Sequence, residues 1–313
     1  LHLSIRRQRQ MCIRDRNTII KEKLSYPLTA MAKTTFSTKS FTTAPKRTYH
    51  CKGLRVKVPS NYVTREESSD AIANYRRNPS TEVIHATDYQ NWDGNFRSET
   101  VYTNNPAWIF YDIVTNNRYG LGSFISETDI DKYALYRIAR YCDEMVSDGT
   151  ATGKEPRFTC NVYFAKRADA YKVLKDLATV FRGMVYWLDG NIYPVMDEPK
   201  EPVYNFTAGN VIDGAFNYES TGSKTRANQV IVTWVNPEQN YKQEALLVED
   251  KQNILDKNEI ISERAVAFGA TTEGQALRYG RWKLWTAKNQ TEVVRFKTSI
   301  NAAFLAPGDI VNI

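Results

Sequence analysis

Asn105-Pro106-Ala107-Trp108-Ile109-Phe110-Tyr111-Asp112-Ile113-Val114, running on to Asn117-Arg118-Tyr119-Gly120-Leu121-Gly122, governs the reading of the chain around it. Proline is tolerated at the first position of a helix, where its missing N–H has no intrahelical partner to lose. An aromatic helical turn therefore starts at Pro106 and leads into an Arg-Tyr tip bounded by glycines. Downstream, Ile130, Tyr133, Ala134, Ile138, Tyr141, Cys142 and Met145 fall on one face at helical spacing. That stripe predicts a helix from about Thr128 to Val146. Ser126 and Thr128 are candidate N-caps, each with an Asp three positions on, and Ser147-Asp148-Gly149 ends the helix. Asn105–Gly122 then reads as a packed connector, with Trp108, Phe110 and Tyr111 in the core or at a subunit seam.

On the N-terminal side, Leu54, Val56 and Val58 alternate with Arg55 and Lys57 until Pro59-Ser60-Asn61, which predicts a short strand. Asp93-Gly94 supplies a turn between Trp92 and Phe96. On the C-terminal side a strand is predicted over Phe158–Phe164. A helix follows from about Arg167 to Phe181, with Gly183 as the left-handed residue past its end. Asp189-Gly190-Asn191 between Met184–Leu188 and Ile192–Met196 is a hairpin signal, because Asp-Gly accepts the positive φ angles of a tight turn. Strands are predicted at Val203–Phe206, Ala215–Tyr218, Gln229–Val235, Glu244–Val248 and along Val294–Ile300. A third helix spans Thr272–Ala287, with Thr272 and Gln275 at capping-box spacing and Leu277, Gly280 and Leu284 on one side. Pro307-Gly308-Asp309 turns the chain into Ile310–Ile313, a strand with no partner after it, as in a fragment. Strands and about three amphipathic helices in separate stretches make the fold class α+β. The regions are a basic lead over 1–48, an α+β region over 49–200 with a polar excursion at 64–87, and a strand-rich region with one helix over 201–313.

The net charge of +7 is unevenly placed. Residues 1–57 hold 14 Lys/Arg against 2 Asp/Glu, a local +12, so the remainder carries −5. The basic character belongs to the lead and is weak evidence for DNA binding. The lead is expected to be a disordered basic arm or sequence not native to the protein, two readings that its composition does not separate. Cys12, Cys51, Cys142 and Cys160 form no Cys-x-x-Cys pair, and the histidines are His2, His50 and His85. Structural zinc needs four suitably spaced ligands, so no metal site is expected and the cysteines read as free thiols. No run of eighteen apolar residues is present, and Leu1–Arg16 lacks the apolar centre of a signal peptide.

Catalytic constellations are scarce. Gly120-x-Gly122 lacks the third glycine of a phosphate loop and follows a helix. Neither a Gly-x-Ser-x-Gly elbow nor a His-Glu-x-x-His pair occurs. Glu249-Asp250, Asp197-Glu198 and Asp143-Glu144 are adjacent acids, whereas glycoside hydrolysis needs two carboxyls facing across a cleft. Tyr279–Trp285 interleaves basic and aromatic residues as a single-strand binder would, but on a helix such rings point in several directions and read as packing. Neither a catalytic residue nor a cofactor is assigned.

Several motifs in fixed order carry a resemblance. They are Val58-Pro59-Ser60-Asn61-Tyr62, Trp92-Asp93-Gly94, Asn105 to Gly122, Asp131–Tyr136 with Tyr141-Cys142-Asp143, and Glu155-Pro156-Arg157 with Cys160-Asn161. Leu247–Asp250, Ala267-Phe268-Gly269 and Pro307-Gly308-Asp309-Ile310 complete the series. In wording and order they resemble the tail tip attachment (host-specificity) protein family of lambda-like siphophages. The resemblance implies a homotrimeric tail hub that meets tail tube, tape-measure and other tip proteins and surrounds the path of ejected DNA. It implies a place at the virion tail tip after synthesis in the host cytoplasm, and receptor contact only through a far C-terminal part. Specific nucleic-acid binding is not expected. The motif positions Trp92, Asp93, Gly94, Pro106, Trp108, Arg118, Tyr119, Gly120, Gly122, Pro307, Gly308 and Asp309 would serve packing or an interface. The alternative is a tail-associated, lysozyme-like cell-wall enzyme.

Overall fold

The computed structural model describes residues 53–62, 92–164, 169–220, 222 and 226–313, with isolated residues before 53. The basic lead, the excursion at 64–87 and His85 lie outside the described residues. The chain divides into two units, Leu1–Cys51 and Lys52–Ile313. Of the first, the Thr34 and Tyr49 hydroxyls are 3.0 Å apart. Everything below concerns the second.

Its class is α+β, with thirteen short strands and five helices among the described residues. Strands β1 (Arg55–Val56) and β2 (Val101–Tyr102) pair antiparallel and lead into helix α1, Pro106–Thr115, whose first residue is the expected proline. Asn105 caps α1: its Oδ1 accepts from Ala107 N–H at 2.9 Å, while its Nδ2 donates to the Ala139 carbonyl on the next helix at 2.9 Å. One buried side chain thus starts α1 and locks it to α2, Lys132–Asp143.

The first core gathers α1, α2 and α3 (Ala170–Val180) with the hairpin of β5 (Gly183–Leu188) and β6 (Asn191–Met196). Trp108, Phe110, Tyr111, Leu135, Leu177 and Phe181 have no exposed surface. Each of the Phe and Leu side chains contributes roughly 1.5–3 kcal/mol by leaving water. In the hairpin, Leu188 pairs with Asn191, and Asp189 and Gly190 both take positive φ, 50° and 81°, as a two-residue turn of this type requires.

A second core lies between α5 (Glu273–Asn289) and a sheet in the order β10 (Lys242–Glu249), β9 (Gln229–Asn236), β11 (Ser262–Val266). Val230, Val232 and Trp234 alternate toward α5 with Val248 beside them. The helix comes so close that a Cβ on Gly280 would lie 2.6 Å from Val248 Cγ2 and 3.0 Å from Val232 Cγ2. A third, small cluster of Phe206, Val211 and Ala302 sits among Phe216, Phe296 and Leu305. It adjoins the paired strands β8 (Asn217–Ser220) and β12 (Glu292–Arg295), and β7 (Tyr204–Asn205) paired with β13 (Val311–Asn312).

Several expectations are corrected. Helix α2 starts at Lys132, capped by Asp131, whose Oδ1 accepts from Tyr133 and Ala134 N–H. Ser126 and Thr128 instead belong to a turn in which Ser126 N–H donates to Asp129. The helix stops at Asp143 because Met145–Ser147 (β3) pairs with Lys154–Pro156 (β4). Phe158–Phe164 is no strand: its N–H groups go to three separate places, Phe158 to Cys142, Cys160 to Asn104 and Asn161 to Gly269. Arg182, not Gly183, takes the left-handed backbone after α3, at φ 55°. Gly183 opens β5, where a Cβ would meet Phe181 at 2.3 Å and the Val195 carbonyl at 2.4 Å. The last strand pairs back with the earlier β7, in parallel register. The alternation over Val294–Ile300 stops early: β12 ends at Arg295, and Ile300 is 87% exposed in a 3-10 turn. Helix α4 (Lys251–Lys257) and the parallel strand β11 went unanticipated.

Candidate functional site

The motif residues occupy three packed places. Around Trp92-Asp93-Gly94, Asp93 accepts from Asn95 N–H at 2.9 Å and from its side-chain amide at 2.7 Å. These bonds, and a weaker one from Ser60 at 3.3 Å, hold its carboxyl below the usual range. The turn sets Trp92 flat on Tyr136, centroids 4.7 Å apart, and edge-on to Trp108 at 6.1 Å. Phe96 stacks on Tyr111 at 4.8 Å. Lys132, at the start of α2, closes the cluster by donating to the Gly94 carbonyl at 2.8 Å, with its ammonium over the Trp92 and Tyr133 rings. A Cβ on Gly94 would lie 2.5 Å from the Tyr133 hydroxyl.

The Arg118-Tyr119 tip folds back on α1. Leu121 N–H donates to the Ile113 carbonyl at 2.9 Å, and Gly120 and Gly122 donate to that of Asn116. Such bonds occupy carbonyls that a helix end leaves open. A Cβ at Gly120 would sit 2.1 Å from the Ile113 carbonyl oxygen, and one at Gly122 2.2 Å from that of Thr115. The Tyr119 hydroxyl donates to the carboxylate of the buried Asp112, and burial with that neighbour raises the phenol above its ordinary range. Arg118 is exposed. In the third place, Gly308 (φ 95°) lets the Pro307–Asp309 turn press on β6, where a Cβ would reach Val195 at 2.4 Å. Asp309 closes that turn by accepting from Ala306 N–H at 2.8 Å.

A polar seam joining the first two cores went unseen in the sequence. Gln275 sits at the expected capping-box position, and Thr272 accepts from its N–H at 3.3 Å. Its side chain, however, turns away to Thr159, 116 residues back, which no local pattern announces. Beside it Arg278 pairs with Glu155 at 2.6 Å and donates to the carbonyls of Ser147, Pro156 and Arg157. The Arg182 guanidinium lies between the Phe158 and Trp282 rings, 5.2 and 5.1 Å from their centroids. Burial draws it down to about 10, so it stays charged at neutral pH.

The adjacent acids are engaged in ion pairs and caps. Glu144 pairs with Arg157 at 2.5 Å, Glu198 with Lys200, and Asp250 caps α4 while pairing with Lys288. Carboxyls clearly displaced from their usual range (Asp93, Glu127, Asp148 and Asp250) are all displaced downward, the reverse of what a general acid needs. Cys142 and Cys160 are free, and burial pushes both thiols up, Cys160 to about 12. Among the described residues no group of three or more His, Cys, Asp or Glu could hold a metal, and no helix is long and apolar enough to cross a membrane. In the Tyr279–Trp285 patch, Tyr279 and Trp282 pack together at 5.9 Å, while Trp285 is 58% exposed.

Residues 169–313 match a family described as putative phage tail protein, so the class to which the C-terminal half is akin is a component of phage tails. More specifically, the chain is related over 94% of its length to tip attachment protein J. It is 35% identical over 296 residues to that protein of Escherichia phage SECphi4 and 33% identical to that of Escherichia phage SECphi27. The match takes in more of the chain than residues 49–313 comprise, so it includes part of the basic lead. The chain spans about a quarter of the length of these relatives, 24% and 23%. The resemblance read from the ordered motifs is borne out, and the cell-wall-enzyme alternative finds no support in these names.

Proposed function

We propose that this chain is a structural segment of a phage tail tip, part of the central hub of the host-attachment apparatus. In this reading it assembles as a homotrimer with tail tube, tape-measure and other tip proteins and surrounds the DNA ejection path. The observation that carries the reading is the kinship with tip attachment protein J across 94% of the chain. The motif residues support it by making turns, caps and aromatic packing, which is assembly work and not catalysis. Receptor contact is assigned to parts of such proteins outside this chain, and specific nucleic-acid binding is not part of the proposal.

Antibodies raised against the chain, applied to intact virions and viewed by electron microscopy, test the location. Label at the tail tip is expected, and particles that never take label would sink the structural reading. Light-scattering mass tests the stoichiometry: three chains are expected, and a monomer at high micromolar concentration removes the trimer.

A further inference from the structure

Strand β5 has one edge unused. Antiparallel partners alternate between pairs that exchange hydrogen bonds and pairs that do not. Val185 lies opposite Pro194, which has no N–H, and Trp187 opposite Ile192, whose N–H is given to Asp129 at 2.7 Å on the far side of β6. The backbone groups of Val185 and Trp187 therefore point away from β6, and among the described residues none meets a partner.

The other bordering strands of four or more residues are guarded. Strand β10 carries Lys242, Glu244 and Glu249; β11 carries Glu263 and Arg264; β8 carries Glu219; β12 carries Glu292 and Arg295. Uncharged β6 has its outer edge bonded to Asp129 and Asp131. Charges and proline on an edge discourage pairing with another chain. Gly183–Leu188 has neither.

Beside this edge lies an apolar groove of about 190 Å³, lined by Leu121, Ile125, Leu174, Val185, Trp187 and Ile192. Trp187 is 59% exposed and Tyr171, at its rim, 67%. Val185, Trp187 and Ile192 share one face of the hairpin, because side chains alternate along a strand. The opposite face carries the stacked Tyr186 and Tyr193 and is pressed by the 307–309 turn at Val195. The strand runs uncharged from Arg182, whose guanidinium is taken up between the Phe158 and Trp282 rings and by the Arg278 carbonyl, to an exposed negative end at Asp189.

We propose that the β5 edge and this groove receive an extended, uncharged segment of a partner tail protein. The segment adds antiparallel to β5 as a third strand and seats one large apolar side chain in the groove. Backbone pairing supplies affinity and the groove supplies selection, as in other cases of strand addition. Charge complementarity sets one end, a basic residue beside the exposed Asp189. That the partner is a tail protein rests on the function proposed above; the edge and groove do not.

The test is calorimetric titration of the chain with a blocked synthetic peptide, Lys-Thr-Val-Thr-Leu-Thr-Val-Glu, whose Val-Leu-Val face suits the groove. Saturable one-to-one binding is expected. It should weaken about tenfold, equivalent to roughly one net hydrogen bond, in Val185→Pro, which removes the outward N–H along with the valine side chain and fixes φ. Trp187→Lys should weaken it similarly, and swapping the terminal Lys and Glu should weaken it less. Thermal unfolding of each variant checks that it is folded. Absence of binding at millimolar peptide, or binding indifferent to both variants, overturns the proposal. So does a wild-type dimer or trimer that Val185→Pro dissociates, since the occupant is then another copy of this chain. Virion labelling is independent of this titration, so failure of the tail reading is told apart from failure of the site.

Discussion

The Gln275 side chain saturates the backbone of Thr159: its Oε1 accepts from the Thr159 N–H at 3.1 Å and hydroxyl at 2.9 Å, and its Nε2 donates to the Thr159 carbonyl at 3.0 Å. Both residues are buried, at 5% and 6% exposure. Gln275→Ala would leave an N–H and a carbonyl without partners, at about 1–3 kcal/mol for a stranded group. A loss of roughly 3 kcal/mol is expected in urea unfolding. A loss under about 1 kcal/mol would show that water replaces the amide.

Gly280 sets the distance between α5 and the sheet. Alanine is better than glycine in a helix interior by about 1 kcal/mol, so propensity alone expects Gly280→Ala to stabilise. The contacts at 2.6 and 3.0 Å expect the reverse, with a net loss of about 1–3 kcal/mol from overpacking. Adding Val248→Ala should recover part of it in a double-mutant cycle. Independent, additive losses would mean that the helix simply moves away.

The glycines of the Arg-Tyr tip are fixed by backbone and cannot be relieved by side-chain motion. Gly120→Ala and Gly122→Ala, each pointing a methyl at a carbonyl near 2 Å, should lower the unfolding midpoint more than Gly190→Ala. At Gly190 the space is open and the cost is the positive φ alone. Equal midpoints for the three variants would remove the claim that this loop is built on the end of α1.

Asp250 links stability to pH. Its carboxyl is held below the ordinary range first by Asn253 N–H and then by Lys288. A folded pKa below the unfolded one adds stability that is present above the unfolded value, near 3.9, and lost as pH falls through the folded value. Asp250→Ala should therefore cost about 1 kcal/mol at pH 7, the usual worth of such a cap. The difference from wild type should close as pH drops below the carboxylate range. A pH-independent deficit would assign the effect to packing.

Cys142 and Cys160 should resist a thiol reagent in the native state and react on unfolding, since burial keeps them protonated and covered. Labelling followed by mass mapping reads this directly. Prompt native-state modification of either would show that the first core opens.

Legibility in the sequence followed the range of the interaction. The β5–β6 hairpin was readable because Asp189-Gly190 carries its own backbone requirement, and α5 because Thr272 caps it locally. Segment 158–164 shows strand-like alternation, yet its partners come from three distant places, and alternation reports burial on one side without naming a ladder. The apolar stripe ran past the end of α2 because Met145 packs on the same core from a strand. Strand β11, Ser-Glu-Arg-Ala-Val, is too polar to announce itself and exists because β9 offers a parallel edge. The motif glycines at 120 and 122 stood out in sequence, but the carbonyls that demand them become visible only in three dimensions.

The bidentate contact between positions 159 and 275 has an evolutionary consequence. Apolar neighbours can exchange volume with one another across many combinations, whereas a primary amide that must give one bond and accept two has few substitutes. Related tail chains should therefore drift freely at Val232 and Val248 while changing positions 159 and 275 together or not at all. Chains that lose the pair should compensate along the Arg278–Glu155 contact beside it, so this seam is where lineages of the fold would be told apart.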